Sequence, residues 1–281
     1  MAIRVAAWNV EGRLSSRTTA RRGSPTHILA GVQRLNADIV VLPEAHHGTV
    51  ADGIDEQLRQ YGYSWCDVRY DDIAYGTTGN RDEASHLRVL SRLPIEEVHR
   101  VRFGNVRSLL DVIVVEPVSR QRIRVLAIHL DDRAEILRVA QVKAIARYLA
   151  TNKNVPTILL GDFNAIWDGP TARVTRSRVV RWLARHAPSA WLRLRMMRFA
   201  DMASGTTMKI LAEQGGLHDA DGRHRATATP KLYGAEWLPS IRIAQLDHIL
   251  LSNNLVATHV AVAGDGGSDH RAISTTIRTK A

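Results

Sequence analysis

The segment 157–164 ends in an acid and an amide that are two residues apart. Its sequence, Thr-Ile-Leu-Leu-Gly-Asp-Phe-Asn, runs from apolar and β-branched residues through Gly161 to Asp162 and Asn164. Side chains at positions i and i+2 of an extended chain share a face. A carboxylate and a carboxamide on that face can hold a water molecule between them or orient an ion. A strand followed by an Asx turn explains the same residues without any chemistry, because Asp and Asn are common in turns.

The same pattern recurs along the chain, where an apolar strand ends and a polar residue suited to metal or phosphate chemistry follows. The residues concerned are Asn9, Glu44, His129, Asp162 with Asn164, Asp247, and Asp269 with His270. In α/β proteins, ligands gather outside the carboxyl ends of strands. Because all six positions carry Asn, Asp, Glu or His, the pattern favours one shared site over chance turn chemistry.

Short apolar segments and amphipathic helices alternate along the chain and would position these residues. The sequence predicts helices near 25–35, 52–60 and 133–150, and strands near 2–8, 38–43, 63–68, 86–91, 98–103, 108–115, 122–128, 157–162, 245–251, 256–262 and 272–277. This alternation is typical of an α/β protein. Since there is no clear repeat or low-complexity linker, we predict one domain over residues 1–281, with a basic helical insertion at about 171–205.

The composition is that of a soluble globular protein, with 45% hydrophobic and 23% charged residues. Cys66 is the single cysteine, which excludes an internal disulfide and a cysteine-based zinc cluster. Its apolar surroundings are more typical of a packing residue than of a nucleophile. No segment reaches the roughly 18 apolar residues of a membrane span, and the N-terminus lacks a signal-peptide pattern. These features predict a cytoplasmic protein.

The net charge of +10 is concentrated in one segment. Residues 171–200 contain eight arginines and no acid. A basic, Trp-containing helical segment has three interpretations. It can pack its apolar face on the rest of the fold, contact a nucleic-acid backbone through Arg178, Arg181 and Arg185, or lie on an anionic membrane surface.

The motifs, taken together and in order, resemble the endonuclease/exonuclease/phosphatase superfamily, which includes pancreatic-type deoxyribonuclease. The segments that carry the resemblance are Trp8-Asn9-Val10, Leu42-Pro43-Glu44, Ile128-His129-Leu130, Gly161-Asp162-Phe163-Asn164, Leu246-Asp247-His248-Ile249 and Ser268-Asp269-His270. Pro43 departs from the family pattern, which more often has Gln before the acid. The resemblance implies a four-layer α/β sandwich, with two mixed β-sheets packed face to face and helices outside.

The resemblance also implies hydrolysis of a phosphate ester with a divalent cation, usually magnesium, with manganese as an alternative. Glu44, helped by Asn9 and Asp269, would hold the ion. Magnesium keeps several waters and takes only one or two carboxylates, so a sparse acidic set suits it.

The other implied roles concern proton transfer and phosphate binding. Asp162 would take a proton from the attacking water, and Asn164 would orient that water or bind the phosphate. Asp247 would accept a hydrogen bond from His270, and His270 would be a donor to the phosphate or the base itself. His129 would bind a phosphate oxygen or protonate the leaving group, and Glu83 is a candidate partner of its ring.

The substrate remains open between several phosphate esters. The motif set with the arginine segment favours a DNA or RNA nuclease. A sphingomyelinase-like phospholipid hydrolase or an inositol-phosphate phosphoesterase would use the same chemistry, and an anionic membrane is then a partner. A scaffold without catalysis is a further alternative. The sequence indicates no obligate protein partner.

Overall fold

Strands and helices follow one another largely as the apolar pattern predicts. The structure is a computed structural model that describes residues 2–10, 25–45, 51–69, 86–103, 106–228, 242–264 and 268–280. Its strands are β1 (Ile3–Ala7), β2 (Ile39–Leu42), β3 (Ser64–Arg69), β4 (His86–Ser91), β5 (Ile95–Phe103), β6 (Val106–Val115), β7 (Arg122–His129), β8 (Thr157–Asp162), β9 (Leu217–Asp219), β10 (Asp247–Ser252), β11 (Leu255–Val262) and β12 (Ile273–Thr279). Its helices are α1 (Pro25–Leu35), α2 (Ala51–Gln60), α3 (Glu135–Thr151), α4 (Pro170–Thr175), α5 (Arg178–His186), α6 (Ala190–Met202) and α7 (Thr206–Glu213).

The described strands form two six-stranded sheets. The strand order is β11-β12-β1-β2-β4-β3 in the first sheet and β5-β6-β7-β8-β10-β9 in the second. The pairs β1–β2 and β7–β8 are parallel, whereas their other neighbours are antiparallel. Both sheets are therefore mixed, and the predicted α/β class is confirmed.

Alternation along the strands places side chains on both faces of each sheet. In β1, Val5 packs in the core between the two sheets, whereas Ala6 packs in a second core with residues of α1 and α2. In β8, Leu160 lies in the central core and Leu159 in a third core with α3 and α7. The period of two in a strand explains this division. The result is the predicted four-layer sandwich of helices, sheet, sheet and helices.

Two of the predicted polar positions precede a strand instead of following one. Asp247 is the first residue of β10, and His270 comes before β12. Both strands run antiparallel to a neighbour whose end carries site residues, since Asp247 pairs with Asp162 and Ile273 pairs with Ala7. The start of an antiparallel strand lies beside the end of its partner. All six positions therefore reach the same edge of the sandwich, although the predicted strand polarity is wrong for two of them.

The basic segment forms α4, α5 and α6, and four large apolar side chains described on α5 and α6 are exposed to solvent. Leu194 is 51%, Met197 58%, Trp182 59% and Val179 67% exposed. The interpretation that the apolar face packs on the sandwich is wrong for these four residues. Helix α7, which follows at once, was not predicted, and it packs Met208 and Leu211 into the core against α3.

None of the helices in the described ranges is long and apolar enough to cross a membrane.

Cys66 lies in β3 opposite Val89 and packs against the central core. Burial, with the negative charge of Asp67, raises the pKa of the Cys66 thiol to about 12. The thiolate is the reactive form. We therefore expect DTNB to label folded protein at least about a hundredfold more slowly than protein unfolded in guanidinium. Because the chain has a single cysteine, the absorbance change reports on Cys66 alone, and rapid labelling of the folded protein would contradict a packing role.

Candidate active site

The strand register places three of the predicted residues in one row across the second sheet. His129, the last residue of β7, pairs with Asp162, the last residue of β8. Asp162 in turn pairs with Asp247 at the start of β10. Asn9 and Glu44 follow β1 and β2 of the other sheet. The two sheets thus contribute to one site from facing edges.

The carboxylate of Asp162 is the centre of this arrangement. Its Oδ2 atom accepts a hydrogen bond of 2.9 Å from the amide Nδ2 of Asn9. The Nε2 atoms of His129 and His270 lie 3.5 Å and 3.8 Å from the same oxygen. Asp162 is 1% exposed, so these neighbours replace water around a buried acid. One carboxylate oxygen thereby faces an amide and two imidazoles from three different parts of the chain.

His270 is held in place by a second buried acid. Its Nδ1 atom lies 2.7 Å from Oδ2 of Asp247, which directs Nε2 towards Asp162. The backbone of His270 is also fixed, because its carbonyl accepts from the indole of Trp8 at 3.2 Å and its N–H donates to Oγ of Ser268 at 3.1 Å. The imidazole is thus positioned by both its side-chain and its backbone contacts.

The same acids determine the charge of His270. Burial disfavours the charged ring, but the carboxylates of Asp247 and Asp162 outweigh it and raise the pKa of His270 well above its usual range. A raised pKa favours the imidazolium form of the ring, in which both nitrogens are donors. An imidazolium can donate to a phosphate oxygen but cannot accept a proton from water.

Burial has the opposite consequence for Asp162. Desolvation raises the pKa of Asp162 to about 6, and the charge of Asp247 adds to this effect, although His270 and the Asn9 hydrogen bond oppose it. Asp162 is then mostly ionised at neutral pH and is a stronger base than an ordinary aspartate. A pKa close to the working pH suits a general base.

The turn after β8 depends on two unusual backbone conformations. Gly161 has φ of 142°, and a Cβ atom added there would lie 2.0 Å from the carbonyl oxygen of Ile128. Asn164 has φ of 47°, so it is not extended, and the shared face predicted for an extended chain does not apply to it. Its N–H donates to Oδ1 of Asp162 at 2.9 Å, which is the hydrogen bond of an Asx turn. Its side-chain amide donates to the carbonyl of Leu130 at 3.1 Å.

Glu44, Asn9 and Asp269 offer oxygen ligands at the open side of the site. The side chains of Glu44 and Asp269 are 31% and 27% exposed, in contrast to buried Asp162. The amide nitrogen of Asn9 donates to Glu44 at 3.1 Å as well as to Asp162, which orients its amide oxygen away from both acids. Two carboxylates and an amide oxygen are ligands that fit a hard divalent cation.

A second group with metal-ligating atoms is formed by Asp162, Asp247 and His270, whose atoms lie within 4.8 Å of one another. The three side chains lie close together because the imidazole of His270 pairs with the carboxylates of Asp247 and Asp162. A protonated imidazole bonded to Asp247 has no lone pair to give to a metal. The donor chemistry therefore favours the Glu44 side for an ion.

Two histidines that are not among the predicted site residues, His248 and His224, support this edge of the sheet. His248 is fully buried, its Nε2 lies 3.0 Å from the carbonyl oxygen of Ala165, and its Nδ1 lies 3.4 Å from Oδ2 of Asp219. His224 contacts the same Asp219 oxygen at 3.4 Å. Burial works against the Asp219 charge, but hydrogen bonds from His224 and His248 outweigh it and lower the pKa of Asp219 below its usual range. His248 is therefore a packing residue that braces the turn after Asn164.

Thr227 also has no signal in the local sequence. It is fully buried, and its Oγ1 atom accepts from the N–H groups of Leu246 and Asp247 at 3.0 Å each. These two bonds fix the start of β10 and hence the position of Asp247. Because Thr227 is 20 residues from Asp247 in sequence, only the fold reveals this contact.

The remaining candidates lie apart from this cluster or outside the described residues. Arg178, Arg181 and Arg185 are exposed on α5. Glu83, which we consider from the sequence as a partner of His129, lies outside the described part of the chain. In the structure, His129 Nε2 lies 3.7 Å from Oε1 of Glu44.

Comparison with solved structures supports the fold at low sequence identity. The endonuclease/exonuclease/phosphatase protein from Beutenbergia cavernae DSM 12333 is 20% identical with a TM-score of 0.69, over 99% of this chain and 72% of that chain. The human Nocturnin catalytic domain with bound sulfate is 16% identical with a TM-score of 0.66, over 99% and 95%. TDP2 from D. rerio complexed with a single-strand DNA product is 17% identical with a TM-score of 0.62, over 99% of each chain.

No match was found among curated proteins. The model of the Endonuclease/Exonuclease/phosphatase family matches residues 6–270, a range that contains every member of the site from Asn9 to His270. The chain therefore belongs to this family of metal-dependent phosphoesterases.

Proposed function

We propose that this protein hydrolyses phosphodiester bonds in DNA or RNA, with magnesium as the cation and manganese as an alternative. The observation that carries the proposal is the convergence of Asn9, His129 and His270 on the buried carboxylate of Asp162. Asp162 has a raised pKa and lies beside a protonated His270, so one group can accept a proton while the other donates one.

In this proposal, Asp162 takes the proton from the attacking water, because His270 is already protonated. His270 then donates to an oxygen of the phosphate through Nε2, while Asp247 holds its ring. Asn164 contributes by fixing Asp162 through its N–H group. His129, buried next to Asp162, binds a phosphate oxygen or protonates the leaving group.

Glu44, Asn9 and Asp269 would hold the cation. When bound, it would stabilise negative charge on the phosphate and on the leaving oxygen.

Nucleic acid is favoured as the substrate by one comparison. TDP2, which shares the fold, is known in complex with a single-strand DNA product. Arg178, Arg181 and Arg185 are exposed on α5 and offer guanidinium groups to phosphates, whether these belong to a nucleic-acid substrate or to a lipid surface.

A phospholipid head group is the second candidate, and one observation favours it. Val179 and Trp182 expose apolar surface on the helix that carries those arginines, and Leu194 and Met197 do so on the next helix, α6. Backbone phosphates need the arginines alone, whereas a lipid surface would also use the apolar side chains.

The test is hydrolysis of supercoiled plasmid, single-stranded DNA, RNA and sphingomyelin liposomes, each with magnesium, manganese or EDTA. We expect cleavage of nucleic acid that EDTA abolishes, because the family chemistry depends on a divalent cation. His270→Gln is expected to lower the rate by about 10²–10⁴-fold, since it removes a donor to the phosphate. His99→Gln, at an exposed position on β5, is the matched control and should keep wild-type activity.

If sphingomyelin liposomes released phosphocholine while the nucleic acids stayed intact, the substrate would be a phospholipid, the second candidate. If none of the substrates were hydrolysed with either metal, the result would support the alternative that the protein is a binding scaffold without catalysis.

A further inference from the structure

The helices α5 and α6 expose apolar side chains in pairs that are one turn apart. Val179 and Trp182 are three residues apart on α5, and Leu194 and Met197 are three residues apart on α6. Residues at this spacing are neighbours on a helix surface. All four are more than half exposed. Paired exposure of this kind differs from the single apolar residues scattered over most protein surfaces and marks a binding surface.

The arginines whose side chains are described divide into two groups. In the first group, Arg176 bonds to Asp168 and Arg198 lies 3.5 Å from Asp132, at the root of the insertion. Arg193 belongs to the same group and donates to the carbonyl of Ala187 at 2.8 Å, in the connection between α5 and α6.

The other group faces solvent. Arg173, Arg178, Arg181 and Arg185 are exposed, and within the described ranges no carboxylate forms an ion pair with them. Arg178, Arg181 and Arg185 follow the i, i+3, i+7 spacing of one helix face. Since residues 171–200 contain no acid, this face carries an uncompensated positive charge.

We propose that the α5–α6 surface, formed by Arg178, Val179, Arg181, Trp182, Arg185, Leu194 and Met197, docks on a bilayer that contains acidic phospholipids. Helices with a basic face and exposed Trp and Leu side chains lie in the membrane interface, where arginines reach the lipid phosphates. A nucleic acid would satisfy the arginines but leave Val179, Leu194 and Met197 in water. An acidic bilayer satisfies both parts of the surface, which is why we choose it.

The root of this surface is attached beside the active site. The N–H of Ile166, two residues after Asn164, donates to the carbonyl of Met202 at the end of α6 at 2.8 Å. The Arg198–Asp132 contact joins α6 to the segment that follows His129. Docking would therefore hold the active-site edge near the lipid head groups. This docking is an association with the membrane surface, and the inference holds whichever phosphodiester the active site cleaves.

The test is co-sedimentation of the full chain with phosphatidylcholine vesicles, prepared with and without phosphatidylglycerol. We expect binding only when phosphatidylglycerol is present, and weaker binding at high salt. The triple variant Arg178→Gln, Arg181→Gln, Arg185→Gln should lower affinity about a hundredfold, from about fivefold for each arginine near an acidic surface. Its charge-matched control is Arg34→Gln, Arg147→Gln, Arg278→Gln, at exposed positions elsewhere, and it should bind like wild type.

The apolar side chains are tested by the double variant Trp182→Ser, Leu194→Ser. Because both residues are exposed, the variant should fold, which circular dichroism would verify. It should bind vesicles at least tenfold more weakly. Hydrolysis of the soluble diester bis(p-nitrophenyl) phosphate, measured in parallel, reports on the proposed function separately from docking.

Three results would overturn the proposal. The first is that the wild-type protein does not sediment with acidic vesicles. The second is that the control triple variant loses as much vesicle affinity as the Arg178, Arg181, Arg185 variant. The third is that the double serine variant binds vesicles as tightly as wild type. If the arginine variant loses single-stranded DNA binding while vesicles bind neither protein, the surface contacts nucleic acid instead.

Discussion

Replacing Asp162 by asparagine is expected to lower kcat for phosphodiester hydrolysis by about 10²–10⁴-fold, the usual contribution of a general base. The change keeps the shape of the side chain but only one oxygen, so it can accept the bond from the N–H of Asn164 to Oδ1 and loses the bond from Asn9 to Oδ2. It removes the group that accepts the proton of the attacking water. The measurement is steady-state hydrolysis of the best substrate at saturating magnesium, with Glu213→Gln as an acid-to-amide control at an exposed site.

The same variant should remain folded, because two effects on its stability oppose each other. Burial raises the pKa of Asp162 to about 6, so its charge is unfavourable in the folded protein, and stability falls as pH rises through that pKa. Asparagine carries no such charge, but the hydrogen bond that it loses costs about 1–3 kcal/mol. Thermal unfolding at neutral pH should therefore show a cooperative transition with a Tm within about 10 °C of wild type, which separates lost chemistry from lost structure.

Wild-type activity in a folded Asp162→Asn variant would contradict this assignment. Inactive His270→Gln beside a fully active Asp162→Asn variant would identify His270 as the base, with the neutral imidazole as its working form.

Replacing Gly161 by alanine is expected to lower the free energy of unfolding by more than about 3 kcal/mol. The added Cβ would lie 2.0 Å from the carbonyl oxygen of Ile128, and backbone on the neighbouring strand cannot move as a flexible side chain can. The φ of 142° adds strain for any residue with a Cβ atom. The change should also lower activity, since it moves Asp162 relative to His129.

The measurement is urea-induced unfolding followed by circular dichroism, with the midpoint and the slope compared between variants. Gly53→Ala is the matched control. Gly53 lies within α2, and an added Cβ there meets nothing within 4 Å, so alanine should stabilise by about 0.5–1 kcal/mol. A Gly161→Ala protein within about 1 kcal/mol of wild type would show that β7 and β8 tolerate the added atom.

Much of the fold follows from the sequence because its signals are local. Alternation in segments such as 157–162 predicts strands, since a period of two places side chains on opposite faces. The mixed sheets and the sandwich of layers follow from the motif resemblance, and the structure confirms them. The local sequence does not predict helix α7, which is stabilised by burial of Met208 and Leu211 in the core.

The candidate site was predicted as a set of residue types, and the structure decides how they meet. Asn9 and Asp162 are 153 residues apart in sequence yet 2.9 Å apart in space, because β1 and β8 belong to facing sheets. Antiparallel pairing brings Asp247 and His270 to the site from strand starts, a polarity that the apolar pattern alone does not reveal.

The residues able to do phosphate chemistry, the strands that carry them and the concentration of arginine in 171–200 can be read from the sequence. The burial that raises the pKa of Asp162, the support that Thr227 and His248 give to the site, and the exposure of Trp182 and Leu194 are visible only in the folded chain. Burial, pKa and exposure depend on contacts between residues distant in sequence, whereas strand and helix patterns depend mainly on neighbours along the chain.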